Sequence, residues 1–561
     1  MRSDVVAWLS RRSKSPEFVQ FLAEGLLRLC SIDTTPVPSV SEMANREAAA
    51  FTVLQEMIPL REPGGTYALF HAMDTRIDSS PFYTAPYYTT DPDPYRGRSN
   101  LVVRKTGRAP TSTNGIAFNA HIDTVAPFLR PTMERDTVFG RGSADDKGGC
   151  VTIVGVLSLL KEIAENFDIH AAGDIMAMFV IDEETGGNGS LSLACDEQLR
   201  REYETIVVVE TADGQIYPAN RGALWYRVEF PPAETAGNSG DEVGLALEVV
   251  RSLESTGRAI WEESIHPLFP DRPVQTCHGV LGPYGEHPSR VCGHVVLRLS
   301  TSLSLPSLKV ALEAGLATYL ARYGDKTKEI DVNTDQPKVD HHYDLNPAVE
   351  DGSANQFTLN VWGCSGHMGA VRELDGAITK AAFMVESAEE ADRDLRVGLY
   401  PPNAPHTRTS APPAPLVLEG GQGFLPTHTI QKIEARLARA VEDAWNRRLR
   451  RGHQDERPVF SCNKLHNDSF ERSPDSPAIA DAVRAARSLG LPVREPLRGF
   501  PVSCDARIFA RTYPDLEVVT TGPGRLTDAH SDSERIAVTD IAAMSAALAL
   551  FVLEHGGYTV K

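Results

Sequence analysis

Apolar residues recur at helical spacing through Phe18, Phe21, Leu22, Leu26, Leu27 and Leu29, which predicts a helix over 16–30. Residues 62–98 are rich in Pro, Gly, Tyr and Asp and read as a long surface excursion. Four short apolar runs follow: NLVVRKT, GIAFNAH, IMAMFVIDEE and TIVVVE. Between the second and third lies GGCVTIVGVLSLLKEIAENF, long enough and suitably spaced for a helix. Short apolar strands alternating with helices predict an α/β fold, with a mixed, mostly parallel sheet flanked by helices. In such sheets chemistry gathers at the carboxyl ends of strands.

The pattern changes after about residue 221. GALWYRVEF and RVCGHVVLRLS read as strands, each followed by a long amphipathic helix. A charged, proline-containing stretch occupies roughly 325–352. Strand, helix, a Pro-rich loop at 400–415, helix and strand then follow. This predicts two ferredoxin-like α+β units in tandem, about 222–345 and 346–466. From 467 the α/β character returns, with a helix in SPDSPAIADAVRAARSLG and a strand in LEVVTTGPG. The expected organisation is therefore one discontinuous α/β domain, 1–221 with 467–561, and an inserted region, 222–466.

The 561 residues hold 56 basic and 75 acidic side chains, a net charge of −19. That balance argues against nucleic acid and anionic membranes as partners, since both reward positive charge. The eight cysteines are scattered without a CxxC pair and read as reduced thiols. The N-terminus has no continuous apolar h-region, and no apolar run looks long enough to span a bilayer. A cytoplasmic location is the expectation.

The notable polar residues sit at predicted strand ends or just beyond. His121 and Asp123 share one side of an extended chain, as a metal-bound imidazole and its orienting carboxylate would. Alone, that pair is equally the polar end of a strand. GRGSADDKGG carries neither a P-loop nor a dinucleotide fingerprint; Asp145 there is either a helix-start acid or a carboxylate turned towards metal. Glu183 and Glu184 end the third run and point opposite ways if extended, so one could hold a cation while the other faces substrate. Glu210 ends the fourth run, with Asp213 as a rival, and His530 lies in the loop after the last strand. Each feature is weak. Together, two imidazoles and three carboxylates carry −3, which two divalent cations nearly balance.

The blocks NAHIDTV, GRGSADDKGG, DEETGGNGS, ETADGQIYPANRGALW and GPGRLTDAHSDSERI resemble the signature blocks of the M20 metallopeptidases, a family of deacylases, carboxypeptidases and dipeptidases. The resemblance implies that His121, Asp145 and Glu210 hold one metal, and Asp145, Glu184 and His530 a second. It makes Asp123 the residue that orients His121 and Glu183 the general base. It implies two divalent ions, zinc by preference, with cobalt or manganese also compatible with these ligands. WGCSGHMGAV resembles the family's lid motif, so His367 would help stabilise the oxyanion; PVSCDARIFA offers Arg507 to a substrate carboxylate. The implied activity is hydrolysis of an N-acyl amino acid or a short peptide with a free carboxylate, with a dipeptidase or aminopeptidase as the alternative. The resemblance further implies a monomer if the lid is doubled within the chain, and otherwise a homodimer through the lid.

A non-catalytic binding or scaffold protein on the same fold is the rival from another class, but a decayed site should have lost a ligand or the base, and none is missing. A metallo-phosphoesterase would be expected to show more His and Asp ligands and a basic phosphate clamp, neither of which is seen.

Overall fold

The computed structural model describes residues 1–59, 66–109, 115–231, 241–331, 335–347, 355–368, 374–400, 415–462 and 466–560. The chain divides into two compact units. The first comprises Met1–Arg221, Pro267–Phe269 and Asn467–Lys561; the second comprises Gly222–His266 and Pro270–His466.

The first unit is built on a seven-stranded sheet. Its four inner strands, Ile175–Val180, Ile116–His121, Thr205–Val209 and Glu517–Thr521, are parallel neighbours in that order. Ser99–Lys105 and Thr66–Ala72 extend one edge antiparallel, and Ile216–Tyr217 the other. The inner strands are buried on both faces, as parallel strands between helices must be. Ile116, Phe118 and Ala120 enter one core, beside Ala177, Phe179, Val207 and Val209. The alternate positions Ala117, Met176, Met178, Ile206 and Val208 enter the other. This is the period of two that an extended chain imposes.

The larger core lies under the helices Pro16–Cys30, Lys147–Phe167, Pro477–Ser488 and Val538–His555. Lys147–Phe167 and Val538–His555 approach closely at Gly155, where a Cβ would come within 2.3 Å of Ser545 Oγ. By length and composition Val538–His555 could cross a membrane, so the expectation that no segment is long enough fails for this helix. Here 72% of it is buried, packed against Lys147–Phe167 and Pro477–Ser488.

The excursion read over 62–98 also differs in part. Thr66–Ala72 is a strand that pairs residue by residue with Ser99–Lys105. Its flanking Pro and Gly hid a run that stays exposed at Tyr67 and Leu69 on one face and at Phe70 on the other.

In the second unit, strand Gly222–Phe230, helix Glu242–Glu263 and strand Thr276–Leu281 are continued, far along the chain, by strand Leu416–Phe424, helix Ile430–Arg450 and strand Val459–Ser461. Within the sheet these four strands stand in the order second, third, first, fourth, all antiparallel. The intervening chain follows the same path: His294–Ser300, Leu305–Tyr323, Tyr343–Pro347, Gln356–Trp362, Ala377–Ala391 and Arg396–Leu399. Its strands again stand second, third, first, fourth. One β-α-β-β-α-β motif is thus nested inside the other, between its second and third strands. A tandem boundary at 345/346 would cut through strand Tyr343–Pro347, which pairs with Gln356–Trp362. The expected Pro-rich loop at 400–415 falls almost wholly outside the described residues.

Candidate metal centre

The carboxyl ends of the parallel strands deliver the polar residues to one place. His121 ends its strand, Glu183 and Glu184 follow Ile175–Val180, and Glu210 follows Thr205–Val209. Asp145 comes from the turn before Lys147–Phe167, and His530 from a loop after the last inner strand.

Asp145 stands between the two histidines. Its Oδ1 lies 3.1 Å from His121 Nε2 and its Oδ2 3.2 Å from His530 Nε2. Glu210 Oε2 is 3.9 Å from His121 Nε2, and Glu184 Oε1 is 3.0 Å from His530 Nε2. The donors form two groups that share one carboxylate. His121, Asp145 and Glu184 present ligand atoms all within 4.8 Å of one another.

The tautomer of His121 follows from its other nitrogen. Nδ1 lies 3.0 Å from the Asp123 carbonyl, which can only accept, so Nδ1 carries hydrogen and Nε2 is the atom offered to a cation. Asp123 therefore acts on His121 through its backbone carbonyl at 3.0 Å and through its carboxylate at 3.5 Å. The carboxylate oxygens also accept the Glu183 and Glu184 backbone N–H groups at 3.1 and 3.0 Å.

Electrostatics show a site in need of positive charge. Burial drives the Glu210 carboxyl well above its ordinary value, and the charge of Asp145 adds to this. Burial likewise raises Glu184, with His530 opposing. Glu183 is pushed well up by burial and then by Asp505, with His121 opposing. Burial alone would lower both imidazoles, yet hydrogen bonds to Asp123 and Asp145 raise His121, and the charge of Glu184 raises His530. Protons thus gather where a cation would sit. The donor set fits a metal on both geometry and chemistry: imidazole nitrogen and carboxylate oxygen suit zinc.

Two expected substrate contacts stand differently. Arg507 is 4% exposed, and its guanidinium donates to the carbonyls of Gly186 and Cys504 at 2.8 and 3.0 Å. It braces the turn after Glu184 rather than presenting an open fork. The backbone of Gly366–His367 pairs with Arg290–Val291, but the His367 side chain lies outside the described residues.

Sequence reading missed two buried acids. Asp505 lies 3.6 Å from Arg507 and adds negative charge beside Glu183. Glu534 accepts from the backbone N–H groups of Ala144 and Asp145, both at 3.1 Å, and from Arg141 at 2.5 Å. Asp505 stands two residues before the arginine and Glu534 four residues after the histidine singled out, and nothing in either spacing marks them.

This fold and donor set define an α/β unit of the metallopeptidase kind. The chain belongs to the peptidase family M20/M25/M40, whose family model matches residues 117–554. Carboxypeptidase G2 from Pseudomonas sp. (strain RS-16) is 28% identical over 155 residues, 26% of this chain and 35% of that protein. The chain thus aligns with about a third of that relative's length. Human carnosine dipeptidase 1 shares the fold, with TM-score 0.54 and 15% identity over 99% of this chain and 98% of that one. The dipeptidase Dug1p from Saccharomyces cerevisiae does so with TM-score 0.56 and 12% identity over 99% of both chains.

Proposed function

We propose that this chain is a two-metal amide hydrolase, zinc by preference, acting on an N-acyl amino acid or a short peptide that carries a free carboxylate. The observation that carries this reading is the position of Asp145, one oxygen turned to His121 and the other to His530. His121, Asp145 and Glu210 would hold one ion; Asp145, Glu184 and His530 the other. Bound there, the metal pair would supply Lewis-acid chemistry, acidifying water and polarising the scissile carbonyl.

Glu183 follows directly from this arrangement. Its carboxyl is half-buried beside the ligands without serving as one, and its surroundings raise the proton affinity of the ionised form. Such a group suits taking a proton from water and returning it to the leaving amine. A free carboxylate on the substrate is supported by the likeness to carboxypeptidase G2. It is also supported by Glu210, since glutamate at this position resembles the deacylase and carboxypeptidase branches.

Metal analysis of the purified protein tests the first half: two equivalents of divalent metal are expected after loading. Turnover of N-acyl amino acids, C-terminal-carboxylate peptides and dipeptides tests the second. One or no bound metal, or no amide cleavage with zinc, cobalt and manganese each supplied, refutes the reading.

A further inference from the structure

The excursion between Thr66–Ala72 and Ser99–Lys105 has no part in the metal site as drawn, yet it is clasped to the turn that carries Glu183 and Glu184. Asn188 and Thr84 bond in both directions: Thr84 N–H donates to Asn188 Oδ1 at 3.2 Å, and Asn188 Nδ2 donates to the Thr84 carbonyl at 2.6 Å. Gly186, at φ +134°, packs so closely that a Cβ would lie 2.4 Å from Thr84 Cβ. The centre of the clasp is Asp182, fully buried and immediately before Glu183. Its Oδ1 accepts from Arg98 Nη2 at 2.6 Å and its Oδ2 from the Tyr88 hydroxyl at 2.8 Å. The same hydroxyl accepts from Arg98 Nη1, and Arg98 is anchored on the other side by Glu47 at 2.6 Å.

Asp182 adopts φ +61°, in the left-handed region that a non-glycine residue enters at a cost. That conformation turns the chain so that the next two N–H groups reach the two oxygens of Asp123. The turn is therefore held from both ends, by Asp123 on its backbone and by Tyr88 and Arg98 on the side chain of Asp182. The neighbouring Tyr87 lies near enough to Glu184 to feel its charge, which brings the excursion up to the ligands themselves.

We propose that Tyr88 and Arg98 are positioning residues for the Glu183–Glu184 pair, acting through Asp182. The Tyr88–Arg98 clasp within the excursion is thus part of the catalytic construction rather than a surface decoration. The inference rests on the two-metal hydrolase reading, with Glu184 as ligand and Glu183 as base. Without the Tyr88 hydroxyl, Asp182 Oδ2 keeps, among the described residues, only Arg98 Nη1 at 3.4 Å, and the strained turn has one restraint fewer. Changes to groups that orient metal ligands typically weaken metal affinity or activity about 10- to 100-fold.

The test compares the full-length wild type with Tyr88→Phe, which keeps the ring over Arg98, and with Thr89→Val. Thr89 ties the excursion to the Pro38 carbonyl at 2.8 Å, away from Asp182. Zinc affinity is measured by competition with a chromogenic chelator, the visible spectrum with cobalt bound, and kcat and KM on the best substrate. In Tyr88→Phe, kcat or zinc affinity should fall about 10- to 100-fold, with an altered cobalt spectrum and KM little changed. Thr89→Val should match the wild type. A Tyr88→Phe protein equal to the wild type in affinity, spectrum and kcat overturns the inference and leaves the hydrolase reading intact. Equal losses in both variants overturn it too, since general loosening then explains them. A wild type that binds no divalent metal overturns the hydrolase reading, and this inference with it.

Discussion

Replacing Glu534 by alanine removes the acceptor of three donors at once: Arg141 Nη1 and the backbone N–H groups of Ala144 and Asp145. Arg141 is 1% exposed, so the change leaves a buried guanidinium without its counter-charge. Breaking such a pair typically costs about 3–5 kcal/mol, and each stranded N–H about 1–3 kcal/mol. These do not simply add, because water can enter the space left by the side chain. Burial and the charge of Asp145 also push the Glu534 carboxyl up, so the pair is weaker than its short contact suggests. The expected loss is about 3–4 kcal/mol, or roughly 4–6 °C in Tm for a unit of this size. Scanning calorimetry of the metal-free protein reads this directly. Glu534→Ala combined with Arg141→Met should be more stable than Glu534→Ala alone, because the orphaned charge is gone, even though Arg141 also bonds the Pro127 and Ser531 carbonyls at 3.2 Å. Zinc affinity should fall in both, since Asp145 has lost the acceptor of its N–H. A single-variant loss below about 1 kcal/mol, or a double variant less stable than the single, would refute the reasoning.

Glu183→Gln should lower kcat about 100- to 10,000-fold while metal content stays normal; retained turnover removes Glu183 from the role of base. Stability should depend on pH in opposite senses with and without metal. Without metal, the raised carboxyls of Glu183, Glu184 and Glu210 contribute stability that is complete below their unfolded pKa, near about 4.3, and is lost as pH rises through their folded values. The raised imidazoles of His121 and His530 act in the same sense, from about 6.5 upwards. Metal binding needs these groups deprotonated, so the Tm difference between loaded and chelator-treated protein should widen from about pH 5.5 to about pH 8; a constant or shrinking gap counts against the site. Gly155→Val should destabilise the first unit by about 1–3 kcal/mol through overpacking on Ser545, read by thermal melting, and a change within about 0.5 kcal/mol would show that the two helices can part.

The inner strands were legible because their apolar runs are continuous and bounded by turns, as doubly buried strands require. His121, Asp145, Glu184, Glu210 and His530 could be read as a set because each follows an apolar run or a glycine turn in an α/β context. The nested path of the second unit was hidden for a physical reason. Periodicity reports which face of a segment is buried but not which distant strand lies beside it, so Thr276–Leu281 carries no sign that its neighbour is Leu416–Phe424. Glu534 was invisible for a related reason: a buried acid that braces a backbone turn resembles any loop carboxylate until its donors are seen. Val538–His555 was passed over because Asp540 and Glu554 interrupt an otherwise apolar helix.

The strand order of the first unit also bears on how the protein is made. Glu517–Thr521 is an inner strand, hydrogen-bonded to Thr205–Val209 on one side and to Ile216–Tyr217 on the other, yet it is synthesised only after the whole inserted unit. Until it arrives, Thr205–Val209 waits as an open, largely apolar sheet edge, a template for wrong pairing between nascent chains. The inserted unit, synthesised during that wait, has all its own strands in hand and can close first, so the first unit completes its sheet only once Glu517–Thr521 emerges.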